Sequence, residues 1–191
     1  MSGFVSVGYF LIGLFFNILI FALWIRLALR YFHVSALHPV GQLIYNLTNP
    51  VVKPAERLFF SGKTAAKRYD WAGFSVLVAV ELLKFIILGL LLYGALLPLS
   101  YLVLFTLADL IVQPCNLLFY IILIRVIMSW VNPGWQHPVA DIMRLITEPF
   151  LEMGRRLVPN ISGFDFSPFI ILIILKIITL FIGGSMPLRL L

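Results

Sequence analysis

Charge is scarce in this chain, and so are the residues from which most sites are built. Only 12% of the 191 residues are charged and 62% are hydrophobic, whereas a soluble domain carries about a quarter charged residues. That balance excludes an ordinary solvated surface. There is one cysteine, Cys115, inside an apolar run. An intrachain disulfide and a cysteine-based metal site are therefore excluded, and the thiol reads as buried and inert. His38 and His137 each precede a proline at a helix start. Neither has a second His or Cys at ligand spacing on its own helix, so haem or metal ligation is not expected. No Gly-rich phosphate loop, Ser-His-Asp set or metal motif occurs. The sequence points to no cofactor and no enzymatic reaction.

What is present is long apolar runs, and lipid is the solvent they imply. Phe4 to Leu29 is the first expected span. Met1 to Gly3 has no Lys or Arg, and the run is longer than a signal core and ends in Arg26, so it reads as a retained helix. Further spans are expected over residues 71–97, 101–131 and 168–186. Pro114 is the natural place for a kink in the third. Asp165-Phe166-Ser167-Pro168 opens the fourth with a cap followed by a proline.

Between the spans lie two segments too polar to cross. In residues 38–60, Val40, Leu43, Ile44, Leu47, Val51, Ala55 and Leu58 recur at helical spacing, with Gln42, Asn46, Lys53, Glu56 and Arg57 on other faces. Pro39 and Pro50 look like first-turn prolines, which predicts two short helices with a bend. In residues 138–158, Val139, Ile142, Met143, Ile146, Phe150, Met153 and Leu157 form the apolar face, and Asp141, Arg144, Glu152, Arg155 and Arg156 the polar one. Such amphipathic helices either lie on lipid or pack on the protein's own spans.

The two halves repeat. NILIFALWIR (Asn17 to Arg26) stands over NLLFYIILIR (Asn116 to Arg125), and His38-Pro39-Val40 over His137-Pro138-Val139, all at an offset of 99 residues. Thr48, Pro50 and Arg57-Leu58 match Thr147, Pro149 and Arg156-Leu157 at that offset. Asp70-Trp71 then meets Asp165-Phe166 at 95. Shared greasiness alone would not keep Asn, Arg, His, Thr and Pro in step. The expected fold is all-α: four transmembrane helices in two units, 1–98 and 99–191, each a span, interfacial helices and a span. Two crossings return the chain to its starting side, so the units are parallel repeats about an axis along the membrane normal.

Lys plus Arg exceed Asp plus Glu by 14 to 8, a net +6. The basic residues are not gathered into a solvated domain, so the surplus concerns topology and anionic headgroups rather than nucleic acid. Residues 31–69 hold Lys53, Arg57, Lys63, Lys67 and Arg68, and residues 132–167 hold Arg144, Arg155 and Arg156. The turn around Pro98 and the N-terminus hold none. Both interfacial segments are therefore expected on the cytoplasmic side and both termini on the other.

The duplicated unit has a span ending in Arg, a His-Pro step, a Thr-x-Pro bend, an Arg-Leu run and, in its second copy, an Asp-Phe-Ser-Pro opening. It resembles the YggT family of bacterial integral membrane proteins, which has cyanobacterial and plastid relatives. The resemblance covers nearly the whole chain, and residues 125–168 match best. The first copy departs in Phe59-Phe60-Ser61-Gly62-Lys63 and its longer basic linker. The resemblance implies an inner-membrane protein without a defined reaction. It also implies links to osmotic or potassium stress, to cell division and nucleoid distribution, or to assembly of a plastid membrane cytochrome. It brings no assigned site residues.

Charges inside spans are the sharpest functional pointers. Glu81 and Lys176 occupy equivalent positions at the 95 offset, so a Glu81–Lys176 pair is expected near the axis. Lys84 and Asp109 reach a comparable depth and form a second expected pair. These charges either hold the bundle together, line a proton or ion path, or reach separately to the interface. Asn17 and Asn116 are expected to hydrogen-bond between helices. Arg26 and Arg125 close their spans at the cytoplasmic level and serve either as headgroup anchors or as a site for an anionic partner. Lys63, Lys67 and Arg68 are expected at anionic headgroups. Two functions follow: a non-enzymatic organiser acting through its cytoplasmic helices on protein partners of unknown identity, or a small ion or solute transporter. Four spans leave little room for a pore, so the transporter would need a homo-oligomer.

Overall fold

The computed structural model describes residues 3–35, 37–59, 69–132, 134, 136–157 and 165–185. They form six helices, and among the described residues there is no strand: α1 (Gly3–Tyr31), α2 (Pro39–Phe59), α3 (Trp71–Tyr93), α4 (Leu99–Val131), α5 (Pro138–Leu157) and α6 (Ser167–Gly184). Four of them, α1, α3, α4 and α6, are long and apolar enough to cross a membrane. They are hydrophobic around most of their circumference, as helices bathed in lipid are.

Local chemistry sets the helix ends. Asp70 opens α3 by accepting the Gly73 N–H at 2.9 Å. Gly94 closes it four residues short of the expected end, at φ +67° with its N–H on Leu90 O, a left-handed cap that glycine adopts without strain. At the start of α6 the Asp165 carboxylate accepts both the Ser167 N–H, at 2.9 Å, and its hydroxyl, at 2.5 Å. Helix α4 begins at Leu99, two residues earlier than expected, and runs unbroken through Pro114.

The interfacial segments differ from expectation. Each is one continuous helix, with Pro50 and Pro54 inside α2 and Pro149 inside α5. A mid-helix proline removes one hydrogen bond. Here that loss is outweighed by packing, because Gly41, Ile44, Thr48 and Val52 form an unbroken buried row across the proline. The expected apolar face of α2 also splits. Ile44 is buried, but Leu43, Leu47 and Val51 are exposed. On α5, Ile142, Met143 and Ile146 are buried, while Val139, Met153 and Leu157 are exposed.

Helix α1 packs along α3, and α4 along α6. Ile20 and Leu23 of α1 meet Val52 of α2 and Leu77 of α3 in one buried cluster. Ile122, Leu151, Ile171 and Leu175 form its counterpart from α4, α5 and α6. Arg26 near the end of α1 touches Asp70 at the start of α3, so those two helices run in opposite directions. Phe85 in α3 stacks on Phe105 in α4, with ring centroids 5.5 Å apart, across the short Gly94–Pro98 connection. Helices α3 and α4 are therefore also antiparallel, and α1 and α4 run the same way. Helices α2 and α5 touch through Ile44, Ile142, Met143 and Ile146, which places them side by side at one end of the bundle.

Candidate functional site: polar clusters within and below the spans

Three charges meet where apolar side chains surround them. Lys84 Nζ contacts Asp109 Oδ2 and lies 3.2 Å from Glu81 Oε2. The three residues are no more than 4% exposed. Glu81 is ten residues along α3 and Asp109 ten along α4, so both sit about 15 Å inside their spans. The Lys84–Glu81 contact is an ion pair off the line of a hydrogen bond, and both Glu81 oxygens lack a hydrogen-bond partner. The Gln113 amide donates to Asp109 Oδ2 and to Asn17 Oδ1, each at 3.4 Å. These groups border a cleft of about 450 Å³ between α1 and α4, which Lys84, Asp109 and the half-buried Asn116 also line.

The expected Glu81–Lys176 pair does not form. Lys176 is exposed, with its ammonium 5.8 Å from the Phe119 ring centre, and α6 packs against α4 and α5. Glu81 instead shares Lys84 with Asp109. A lysine one turn away on its own helix reaches the carboxylate directly. Asn17 bonds Gln113, a residue the sequence reasoning passed over, although it lies one helical turn after Asp109.

The second cluster lies where the spans meet α2 and α5. Arg26 is 5% exposed, so it does not reach outward to headgroups. Its Nε donates to Asp70 Oδ2 at 2.9 Å, and its Nη1 to Thr48 Oγ1 at 3.0 Å and Asn49 Oδ1 at 2.9 Å. Arg30 adds a second guanidinium 3.2 Å from Asp70 Oδ1. The Thr48 hydroxyl in turn donates to Ile44 O. At the matching place in the second half, Arg125 donates to Thr147 Oγ1 at 2.6 Å and Glu148 Oε2 at 2.7 Å. Arg155 then bridges Glu148, at 2.8 Å, and Asp165, at 3.0 Å. Thus Asp70 meets its arginine directly, whereas Asp165 is reached through an extra arginine and an extra glutamate. Nothing in the sequence pattern singles out Glu148. The recurrence of Arg, Thr and Asp in both halves is visible in the sequence, but it does not show that these side chains meet.

Burial opposes the charged form of Asp70, but the Gly73 N–H and the Arg26 guanidinium outweigh it and hold the carboxyl below its usual range. For Glu148, burial is likewise outweighed by Arg155 and Arg125. For Asp165 it is outweighed by the Ser167 hydroxyl and N–H and by Arg155. Arg57 and Arg156 are exposed. Lys63, Lys67 and Arg68 lie outside the described residues. Among the described residues, no group of three or more His, Cys, Asp or Glu side chains stands ready to hold a metal ion.

Four apolar helices, two shorter helices clamped at one end and charges buried at mid-span are the make-up of a multi-pass membrane protein. The family model described as CCB3/YggT matches residues 5–91 and again residues 102–186. The chain belongs to the CCB3/YggT family. It is similar to the "uncharacterized protein in proC 3'region" of Vibrio alginolyticus, 31% identical over 175 residues that make up 91% of this chain and 92% of the relative. It is also similar to the "uncharacterized protein YggT" of Escherichia coli K12, 27% identical over 90% of this chain and 86% of that one. No solved structure matches it.

Proposed function

We propose that this protein is a non-enzymatic organiser of the bacterial inner membrane. It is built from two parallel repeat units and beds α2 and α5 in the cytoplasmic leaflet, where their polar faces receive partner proteins. The observation that carries this reading is the exposed apolar row on each of the two adjacent, clamped helices. Leu43, Leu47 and Val51 on α2, and Leu145 and Met153 on α5, lie open beside exposed Gln42, Asn46, Lys53, Asp141, Arg144 and Glu152. A row of that kind, flanked by basic residues, suits the headgroup–acyl boundary of an anionic leaflet. The family model's two matches, the common direction of α1 and α4, and the paired Arg–Thr contacts all support the repeat. The Lys and Arg bias of residues 31–69 and 132–167 supports the cytoplasmic placement, with both termini on the far side.

Spin labels at Leu47 and Met153 in reconstituted liposomes test the reading. Labels that collide with oxygen rather than a water-soluble relaxant are expected, and labels in water would refute the embedding. Ile142 is too buried to serve, so Leu47→Asp and Met153→Asp are the informative changes. They should abolish the organising role and leave the fold intact. A second reading, a small ion or solute transporter, is favoured by one observation, the three mid-span charges. Ion flux through liposomes holding the pure protein separates it from the first.

A further inference from the structure

The charges at the centre of the bundle do not cancel. Glu81 and Asp109 supply two carboxyl groups and Lys84 one ammonium. With all three ionised the cluster carries a net charge of −1 (two negative, one positive) among apolar side chains. Burial of that kind drives a group to neutralise. Two carboxyl oxygens that touch the same nitrogen are close neighbours, and like charges at such range favour one shared proton. Glu81 is 0% exposed and neither of its oxygens has a hydrogen-bond partner. Thr106, one turn before Asp109, is 4% exposed and its hydroxyl is also without a partner.

We propose that Glu81 and Asp109, held together by Lys84, form an intramembrane proton-binding site that keeps one proton at neutral pH and exchanges it through the α1–α4 cleft. The cleft reaches Asp109 and Lys84 but is not lined by Glu81, so Asp109 is the entry and Glu81 lies behind it. Gln113 ties the entry to Asn17 at the cleft. A metal cation suits the place poorly, because the Lys84 ammonium already occupies the position between the carboxylates. The surroundings supply little else that titrates. From α1, Tyr9 borders the cleft, while Arg26 and Arg30 are at the far end. From α4 come Asp109 itself, Tyr120, which also lines the cleft, and Tyr101, which stacks on Phe105. Helix α2 meets α3 near its start and brings no titratable group to the cluster. The binding step is a carboxylate taking one proton to become a carboxylic acid. The proposal does not depend on the organiser reading and requires no net transport.

Infrared spectroscopy of the protein in liposomes tests it without a variant. A carbonyl band of a protonated carboxyl group is expected at neutral pH. It should shift in heavy water, move when the carboxyl carbons of glutamate or aspartate are isotopically labelled, and vanish as the pH is raised. Asp70, Glu148 and Asp165, held below the usual carboxylate range, contribute no such band. Glu81→Gln or Asp109→Asn should remove it. Absence of the band in the wild-type protein would overturn the proposal, as would a band that survives both substitutions. A cluster that responds to sodium or potassium chloride while no band appears would also overturn it, in favour of a metal cation.

Discussion

Changing Asp70 to Asn and, separately, Asp165 to Asn should produce very different losses of stability. Asparagine keeps an acceptor for the capping N–H of Gly73 or Ser167, so each change removes the charge and turns the oxygen that accepts from Arg26 or Arg155 into an amide donor. Asp70 is buried between Arg26 and Arg30, whose side chains are 6% and 16% exposed. Neutralising it leaves two guanidinium groups facing each other with no anion, and breaking a buried pair in this way costs about 3–5 kcal/mol. Thr48 and Asn49 still accept from Arg26, which places the loss towards the lower end. Asp165 and its partner Arg155 have side chains 35% and 38% exposed, and Arg155 retains Glu148. An exposed pair is worth roughly 0–1 kcal/mol. The difference between the two variants should therefore be about 2–5 kcal/mol by subtraction of these ranges, and towards the lower end. Reversible unfolding in mixed micelles, followed by tryptophan fluorescence, reads both on one scale. Adding Arg26→Leu to Asp70→Asn should recover part of the loss, since the stranded charge is then gone. Equal losses from the two single variants, or a larger loss at Asp165, would refute the reasoning.

Acid should destabilise the fold through the same groups. Asp70 has a folded pKa below its ordinary 3.8, so its contribution is complete above the unfolded value of about 3.9 and is lost as the pH falls through the folded one. Glu148 and Asp165 act in the same direction, and a thermal melt that is flat near neutrality and drops in acid is expected. Gly154→Ala should cost about 1–3 kcal/mol by forcing α5 off α6, because the new Cβ would meet Ser167 Cβ at 2.9 Å and Ile171 Cγ1 at 3.1 Å. The same unfolding assay measures it. Lys176→Met should change stability by no more than about 0.5 kcal/mol, as exposed substitutions do, whereas a large loss would restore the Glu81–Lys176 pairing that the structure does not form.

The four spans were legible because length and continuous apolarity suffice to define them, and their ends fell within a few residues. The caps at Asp70 and Asp165 follow from side-chain chemistry that the sequence displays. The continuity of α2 through Pro50 was not legible: a proline reads locally as a break, and only the packing of Thr48 and Val52 across it decides otherwise. Depth counted along a helix put Lys84 level with Asp109 and the two meet. The same count paired Glu81 with Lys176, because depth carries no information about which way a residue faces around the axis. Arg26 and Arg125 were visible as span ends, but their partners lie 22 to 44 residues away, beyond the reach of any local pattern.

The short Gly94–Pro98 connection bears on how the protein is made. Helix α3 emerges from the ribosome carrying Glu81 and Lys84, and Asp109 follows 25 residues after Lys84. A charge at the centre of a lone span raises its insertion energy by roughly 2.5–3.5 kcal/mol. Until Asp109 arrives, Lys84 has only Glu81, one turn back, as a counter-ion. Helices α3 and α4 are thus best released into the bilayer together as a preformed hairpin, and lengthening the turn between them should slow membrane integration before it alters the finished protein.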